Sequence, residues 1–312
     1  MDRNKGGFID MIKLGLHSAI LPELSFNEIV DYISSLGLET LEVCCWPKGK
    51  AKRRYAGVTH IDVDNLDDAG LIECKEYAEN KGVKIAVLGY YPNPLSNNQE
   101  EADAAIKHIH KMIDASAVME INKISTFIGK DKTLPVDENI AKMKKVWPQI
   151  LEHAEDKDVK IGIENCHMFY SLNEWPGGNN LACSPHVWRE MFKMSPNIGL
   201  SYDPSHPIVL GMDFDAHLRE FGDRIFHVHF KDCHIEQDKV NEYGRFDLPG
   251  LWHTPKLPGL GDVNFSSFIS TLNTVGYRGA GVIEVEDKSF ENSLEDTKMG
   301  IEEAVRYLRQ FC

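Results

Sequence analysis

Eight short apolar runs, each followed by a longer amphipathic stretch, constrain the fold of this chain more than any other feature. The runs are Lys13–His17, Thr40–Cys44, Val83–Leu88, Lys123–Ile128, Val159–Glu164, Ile198–Asp203, Arg224–His229 and Gly281–Val285. Helical patterns lie between and after them, over 25–37, 65–81, 98–118, 137–156, 185–194, 214–221, 265–275 and 292–311. The first helix shows how local the signals are. Ser25 and Glu28 form a capping-box pair, in which each side chain can satisfy the other's backbone amide. Ile29, Ile33 and Leu36 then recur at helical spacing, and Gly37 offers a left-handed stop.

Strand and helix in alternation predict a parallel sheet, because parallel strands need long crossovers. Eight such units in 312 residues predict a (β/α)8 TIM barrel, one domain over residues 1–312. The alternative is an open doubly wound sheet. It would carry a Gly-x-Gly-x-x-Gly turn after its first strand, and this chain has none there. Two long loops follow the fifth and seventh runs, residues 166–184 and 231–262. In a barrel both emerge on the C-terminal face, where sites of this fold are built.

The net charge of −14 makes nucleic acid and anionic membranes poor partners. No apolar stretch reaches membrane-spanning length, and the first ten residues lack the apolar core of a secretory signal. The seven cysteines show no metal-finger spacing and are read as free thiols in a reducing cytoplasm. A soluble cytoplasmic protein is expected.

The most informative stretch is Ser201–His206, SYDPSH, where an acid, a proline and a histidine end an apolar run. It reads as a surface turn begun by Asp203, or as part of a metal site. Strand periodicity bears on the choice, because alternate side chains share a face. Gly162 and Glu164 oppose Ile161 and Ile163. Ser201 and Asp203 oppose Leu200 and Tyr202. His227 and His229 oppose Phe226 and Val228, and Glu284 opposes Ile283 and Val285. With the bulky apolar faces against outer helices, four polar strand ends point inward and meet at the barrel mouth. Glu164, Asp203, His229 and Glu284 would repel one another there without a counter-charge. One divalent ion resolves the repulsion. A set of mostly oxygen ligands favours manganese, with magnesium, cobalt, zinc or iron as alternatives.

Several motifs resemble the sugar phosphate isomerase/epimerase family of xylose isomerase-like TIM barrels. They are Ile163–Asn165, Tyr202–His206, His227–Asp232, Leu257–Asp262, Ile283–Glu286 and, after the third run, Tyr90–Leu95. The resemblance covers about 13–308. It implies a metal held by Glu164, Asp203, His229 and Glu284, and its register selects His229 over His227 and Glu284 over Glu286. It also implies that Glu164 and Glu284 move the substrate proton and that His206 binds substrate or transfers a proton. Lys256 stands where some relatives have a substrate-contacting Arg, a change that keeps charge but loses the bidentate fork. Asn93, Trp46 and Lys231 are further candidates for substrate binding. Asp232 and His253 lie near the same mouth, and Trp175 could stack on a sugar ring.

The implied activity is isomerisation or epimerisation of a sugar or keto-sugar through a metal-stabilised enediolate, part of carbohydrate metabolism. The same site could serve a dehydratase or a C-glycoside-cleaving lyase acting on a carbohydrate or cyclitol. It could also be a non-catalytic sugar-binding barrel or a subunit of a complex. A homodimer is compatible with the resemblance. An endonuclease IV-type phosphodiesterase would need extra histidines from early strands. Here those strand ends give Glu42 and Tyr90–Tyr91.

Overall fold

A computed structural model describes residues 12–49, 55–168 and 178–312. Eight parallel strands close into a barrel: β1 (Lys13–His17), β2 (Thr40–Cys44), β3 (Lys84–Gly89), β4 (Lys123–Thr126), β5 (Lys160–Glu164), β6 (Ile198–Tyr202), β7 (Ile225–Phe230) and β10 (Ala280–Ile283). They follow one another around the barrel in chain order, and β10 pairs with β1 in register Leu14 to Gly281 to close it. The helices on the outside are α1 (Phe26–Ser35), α2 (Asp68–Asn80), α3 (Gln99–Val118), α4 (Val136–Asp156), α5 (Pro185–Phe192), α7 (Phe214–Phe221), α9 (Phe265–Thr274) and α10 (Leu294–Leu308). This is a (β/α)8 barrel.

The Ser25 capping box is formed. Ser25 Oγ accepts the Glu28 amide, and Glu28 Oε2 accepts the Ser25 amide at 2.7 Å. Gly37 takes the left-handed conformation that ends the turn, with φ of 67°. All seven cysteines are free thiols. Among the described residues no helix is long and apolar enough to cross a membrane.

Two stretches differ from the sequence reading. Residues 231–262 are not one irregular loop. They contain β8 (Asp232–Ile235), α8 (Gln237–Tyr243) and β9 (His253–Lys256), with β8 and β9 paired antiparallel outside the barrel. The run is too short and too polar to show strand periodicity, and Asp232 organises it from a distance: its carboxylate accepts the amides of Cys233, Gly259, Gly261 and Val263. Second, after Asp203 the chain enters a short helix, α6 (Ser205–Val209). Of the loop after β5, residues 169–177 lie outside the described residues, and Trp175 with them.

Bulky apolar residues of the strands face the helices, and the lumen receives small and polar ones. Ile161, Ile163, Leu200 and Val228 are fully buried in the outer core. Inside, Ser125 Oγ and Ser201 Oγ lie 2.7 Å apart. A Cβ on Gly162 would come within 2.3 Å of Ser201 Oγ, so any larger residue there would displace the Ser201 hydroxyl. Small lumen residues leave room for a polar network that continues up to the mouth.

At the opposite end of the barrel, half-buried Lys123 is a local fault. Burial, with repulsion from Lys160 and Lys84, pulls its ammonium pKa down to about 8. The unfolded chain therefore binds more protons than the native state between about pH 8 and the ordinary lysine value, so stability rises with pH in that window. Below it, the native state carries an unfavourable charge. Lys123→Met is expected to raise stability by about 1–3 kcal/mol at pH 7, and by much less at pH 10. Urea unfolding at both pH values checks this; an equal effect at both would show that the charge is not the cause.

Candidate metal centre at the barrel mouth

The C-terminal ends of β5, β6, β7 and β10 bring Glu164, Asp203, His229 and Glu284 together. One ligand atom from each lies within 4.8 Å of the others, and all four residues are buried. His229 Nδ1 is 3.7 Å from both Glu164 Oε1 and Glu284 Oε2. Two of the four carry a buried polar atom with no hydrogen-bond partner, His229 Nδ1 and Glu284 Oε2, while Asp203 Oδ2 meets only the imidazole of His206 at 3.0 Å. Orphaned buried polar atoms are rare in native proteins. Two of them beside the carboxylates of Glu164 and Asp203 fit a divalent ion.

Asp203 shows how the strand end is built. Its Oδ1 accepts the Ser205 amide at 2.8 Å and the Ser205 hydroxyl at 2.7 Å, which makes the turn into α6. Asn165 clamps the backbone on both sides, accepting the Asp203 amide at 2.7 Å and donating to its carbonyl at 2.9 Å. Oδ2 is left facing the cluster. SYDPSH is thus both a turn and a strand end aimed at the candidate site, with one oxygen for each.

His206 stands beside the cluster, its Nε2 3.0 Å from Asp203 Oδ2 and 3.3 Å from Glu164 Oε1. Burial opposes its charge, but Asp203 outweighs that and holds its pKa well above the usual imidazole range. The two glutamates differ. Burial alone would raise Glu164, yet His206 and His229 hold it below the usual range. Glu284 is raised, by burial and by Glu286, against the pull of Lys231. Lys231 Nζ lies 2.7 Å from Glu286 Oε2 and 3.6 Å from Glu284 Oε1.

A cavity opens above these groups. Its charged lining includes Glu164, His229, Lys231, Glu284 and Glu286; Trp46, Tyr55, Phe127 and Met168 supply apolar and aromatic surface. Trp46 and Lys231 are therefore where the sequence reading expects substrate. Asn93, Lys256 and His206 are not among the lining residues. Asn93 Oδ1 accepts the Lys130 amide at 2.8 Å and its Nδ2 donates to the Lys130 carbonyl at 2.9 Å, so the side chain ties two loops together. Lys256, on β9, faces Asp287 Oδ2 at 3.7 Å. His253 Nδ1 lies 2.7 Å from the Pro249 carbonyl.

Sequence reasoning missed His17 and Glu42 as parts of this centre. His17 lines the cavity, and Glu42 lies beneath it with its side chain wholly buried. The available signal was a charged residue between Leu41 and Val43 in a run whose every residue is buried.

A closed eight-stranded α/β barrel with a cluster of acids and histidine at its C-terminal mouth defines a class. The chain belongs to the xylose isomerase-like TIM barrel family, whose model matches residues 30–311. It is 29% identical over 177 residues to the inosose dehydratase of Lactiplantibacillus plantarum, covering 53% of this chain and 54% of that one. The fold resembles D-psicose 3-epimerase from Clostridium cellulolyticum H10, solved with D-tagatose, at a TM-score of 0.71 and 16% identity, covering 96% and 99% of the two chains. It also resembles the IOLI protein, solved with a zinc atom, at a TM-score of 0.70 and 16% identity, with 96% of each chain covered.

Proposed function

We propose that this protein is a divalent-metal-dependent isomerase or epimerase acting on a sugar or keto-sugar. The observation that carries the reading is the meeting of Asp203 Oδ2, His229 Nδ1 and Glu284 Oε2, all buried and the last two without a hydrogen-bond partner, beside Glu164. A divalent ion bound there would offset the negative charge and acidify a C–H next to a substrate carbonyl. Manganese is our first choice on the oxygen-rich donor set.

In this reading Glu164 and Glu284 take and return the substrate proton. His206, within 3.3 Å of Glu164, binds a substrate hydroxyl or passes its proton. Lys231 balances Glu284 and Glu286 and offers its ammonium to a substrate oxygen. Trp46 and Phe127 give apolar surface for the C–H face of a sugar and help keep water out. Asn93, tied to the Lys130 backbone, and Lys256, facing Asp287, remain candidates for contact with substrate. The net charge of −14 argues for a small, uncharged or modestly charged ligand over nucleic acid, and seven free thiols suit the cytoplasm.

A second reading is favoured by the partial match to inosose dehydratase. The same proton abstraction followed by loss of a β-hydroxyl would make the protein a cyclitol or sugar dehydratase. One experiment addresses both. Metal-loaded protein is incubated with ketoses, aldoses and inososes in heavy water and the products are read by NMR. Deuterium at the carbon beside the carbonyl is expected. An altered stereocentre or shifted carbonyl marks the first reading, and a product lighter by one water marks the second. Turnover with that C–H fully retained would overturn both.

A further inference from the structure

We propose that Glu42, a residue of β2, is the positioning residue of the metal centre: it fixes His229 with Nε2 protonated and Nδ1 presented to the ion. The inference rests on the metal-centre reading above and adds the element that orients its imidazole ligand.

The geometry is specific. Glu42 Oε2 lies 2.9 Å from His229 Nε2 and 2.9 Å from His227 Nε2. Glu42 Oε1 lies 3.3 Å from His17 Nε2 and accepts the Tyr91 hydroxyl. An ionised carboxylate has acceptors only, so each imidazole nitrogen facing it must carry the hydrogen. His17 confirms the pattern independently, since its Nδ1 accepts the Ala19 amide at 3.2 Å and its Nε2 must then be the donor. Four donors thus surround the two Glu42 oxygens, the setting of an ionised carboxylate, and no acceptor capacity is left over.

The consequence falls on His229. With Nε2–H committed to Glu42, its remaining lone pair is on Nδ1, the atom that lies 3.7 Å from Glu164 and Glu284 and lacks a hydrogen-bond partner. A carboxylate behind a ligating imidazole fixes ring orientation and increases its basicity, and loss of such a partner typically costs 10–100-fold in metal affinity. Glu42, His227 and His229 do not form a second ion site of their own. Both Nε2 atoms already share Oε2, and His227 is fully buried and lines no cavity described here.

The test uses zinc with the full chain and 15N-labelled histidine. In zinc-loaded wild type, the His229 Nδ1 resonance should show direct ligation and Nε2 should carry a slowly exchanging, low-field proton. Glu42→Gln, whose amide must turn a donor toward one of these imidazoles, should weaken zinc by about 10–100-fold in chelator competition and erase that proton signal. A role in folding alone would lower the melting temperature without changing which nitrogen ligates. Ligation through Nε2 in wild type, or a folded Glu42→Gln protein with unchanged zinc affinity, would overturn the Glu42 assignment and leave the metal centre standing. Should the variant not fold, the wild-type spectrum alone decides. Failure of wild type to take up zinc, manganese or cobalt would overturn both.

Discussion

Asp203→Asn is expected to empty the metal centre while leaving the barrel folded. The substitution is nearly isosteric. Asn Oδ1 can keep the Ser205 amide and hydroxyl that make the turn into α6, but the NH₂ then stands where Oδ2 faces the cluster. A donor replaces a charged acceptor in a wholly buried position. Removing one partner from a buried charge cluster costs about 3–5 kcal/mol, or about 10²–10⁴ in ion affinity. Metal per chain, measured by mass spectrometry on desalted protein, should fall from about one to near zero, and turnover of any substrate found should fall at least as far. Near-UV circular dichroism should stay unchanged. Retention of the ion by folded Asp203→Asn would remove Asp203 from the ligand set and return SYDPSH to the status of a turn.

Lys231→Met carries the second large effect, and its size depends on pH. Lys231 is a buried cation between Glu284 and Glu286. Both glutamates press its pKa upward against burial, and in return it favours their ionised forms. Without it, burial and mutual repulsion hold protons on Glu284 and Glu286 to higher pH. The ion must displace a proton from Glu284 to bind, so the pH profile of metal uptake should move to higher pH. We expect little uptake near pH 6 and recovery toward that of wild type by about pH 8–9. Turnover at pH 8, where the ion is again bound, should remain about 10²–10³-fold low, because the donor for a substrate oxygen is gone. Normal turnover at that pH would confine Lys231 to charge balance. An unshifted uptake profile would uncouple it from Glu284.

The barrel was legible because its signals are local. Period-two alternation in Lys160–Glu164 and Ile198–Tyr202 marks strands, the Ser25–Glu28 box marks a helix start, and eight repeats of the pair permit few closures. The same alternation predicted that Glu164, Asp203 and His229 share the inward face. Glu284 lies one residue beyond β10, yet it keeps the orientation the alternation gave it. The short β8–β9 ribbon was not legible, because it is held by Asp232 reaching loop amides 27–31 residues away.

The limits of sequence are clearest at three residues. Asn93 and Lys256 have the chemistry of sugar-binding groups, and the motifs around them point to the mouth. Which backbone or carboxylate each meets depends on how neighbouring loops settle: Asn93 meets the Lys130 backbone and Lys256 faces Asp287. Glu42 is the converse. It looks like one acidic residue in an apolar run, and its partners His227 and His229 are 185 and 187 residues distant. Moreover β2 and β7 are not neighbours in the sheet; β1 and β10 lie between them, and the contact is made inside the barrel. By itself the sequence determined the barrel and the inward face of each strand, because both follow from backbone geometry repeating every two or 3.6 residues. Only closure of the barrel decided which polar groups meet inside it, since burial lets a polar group remain only where another comes to satisfy it.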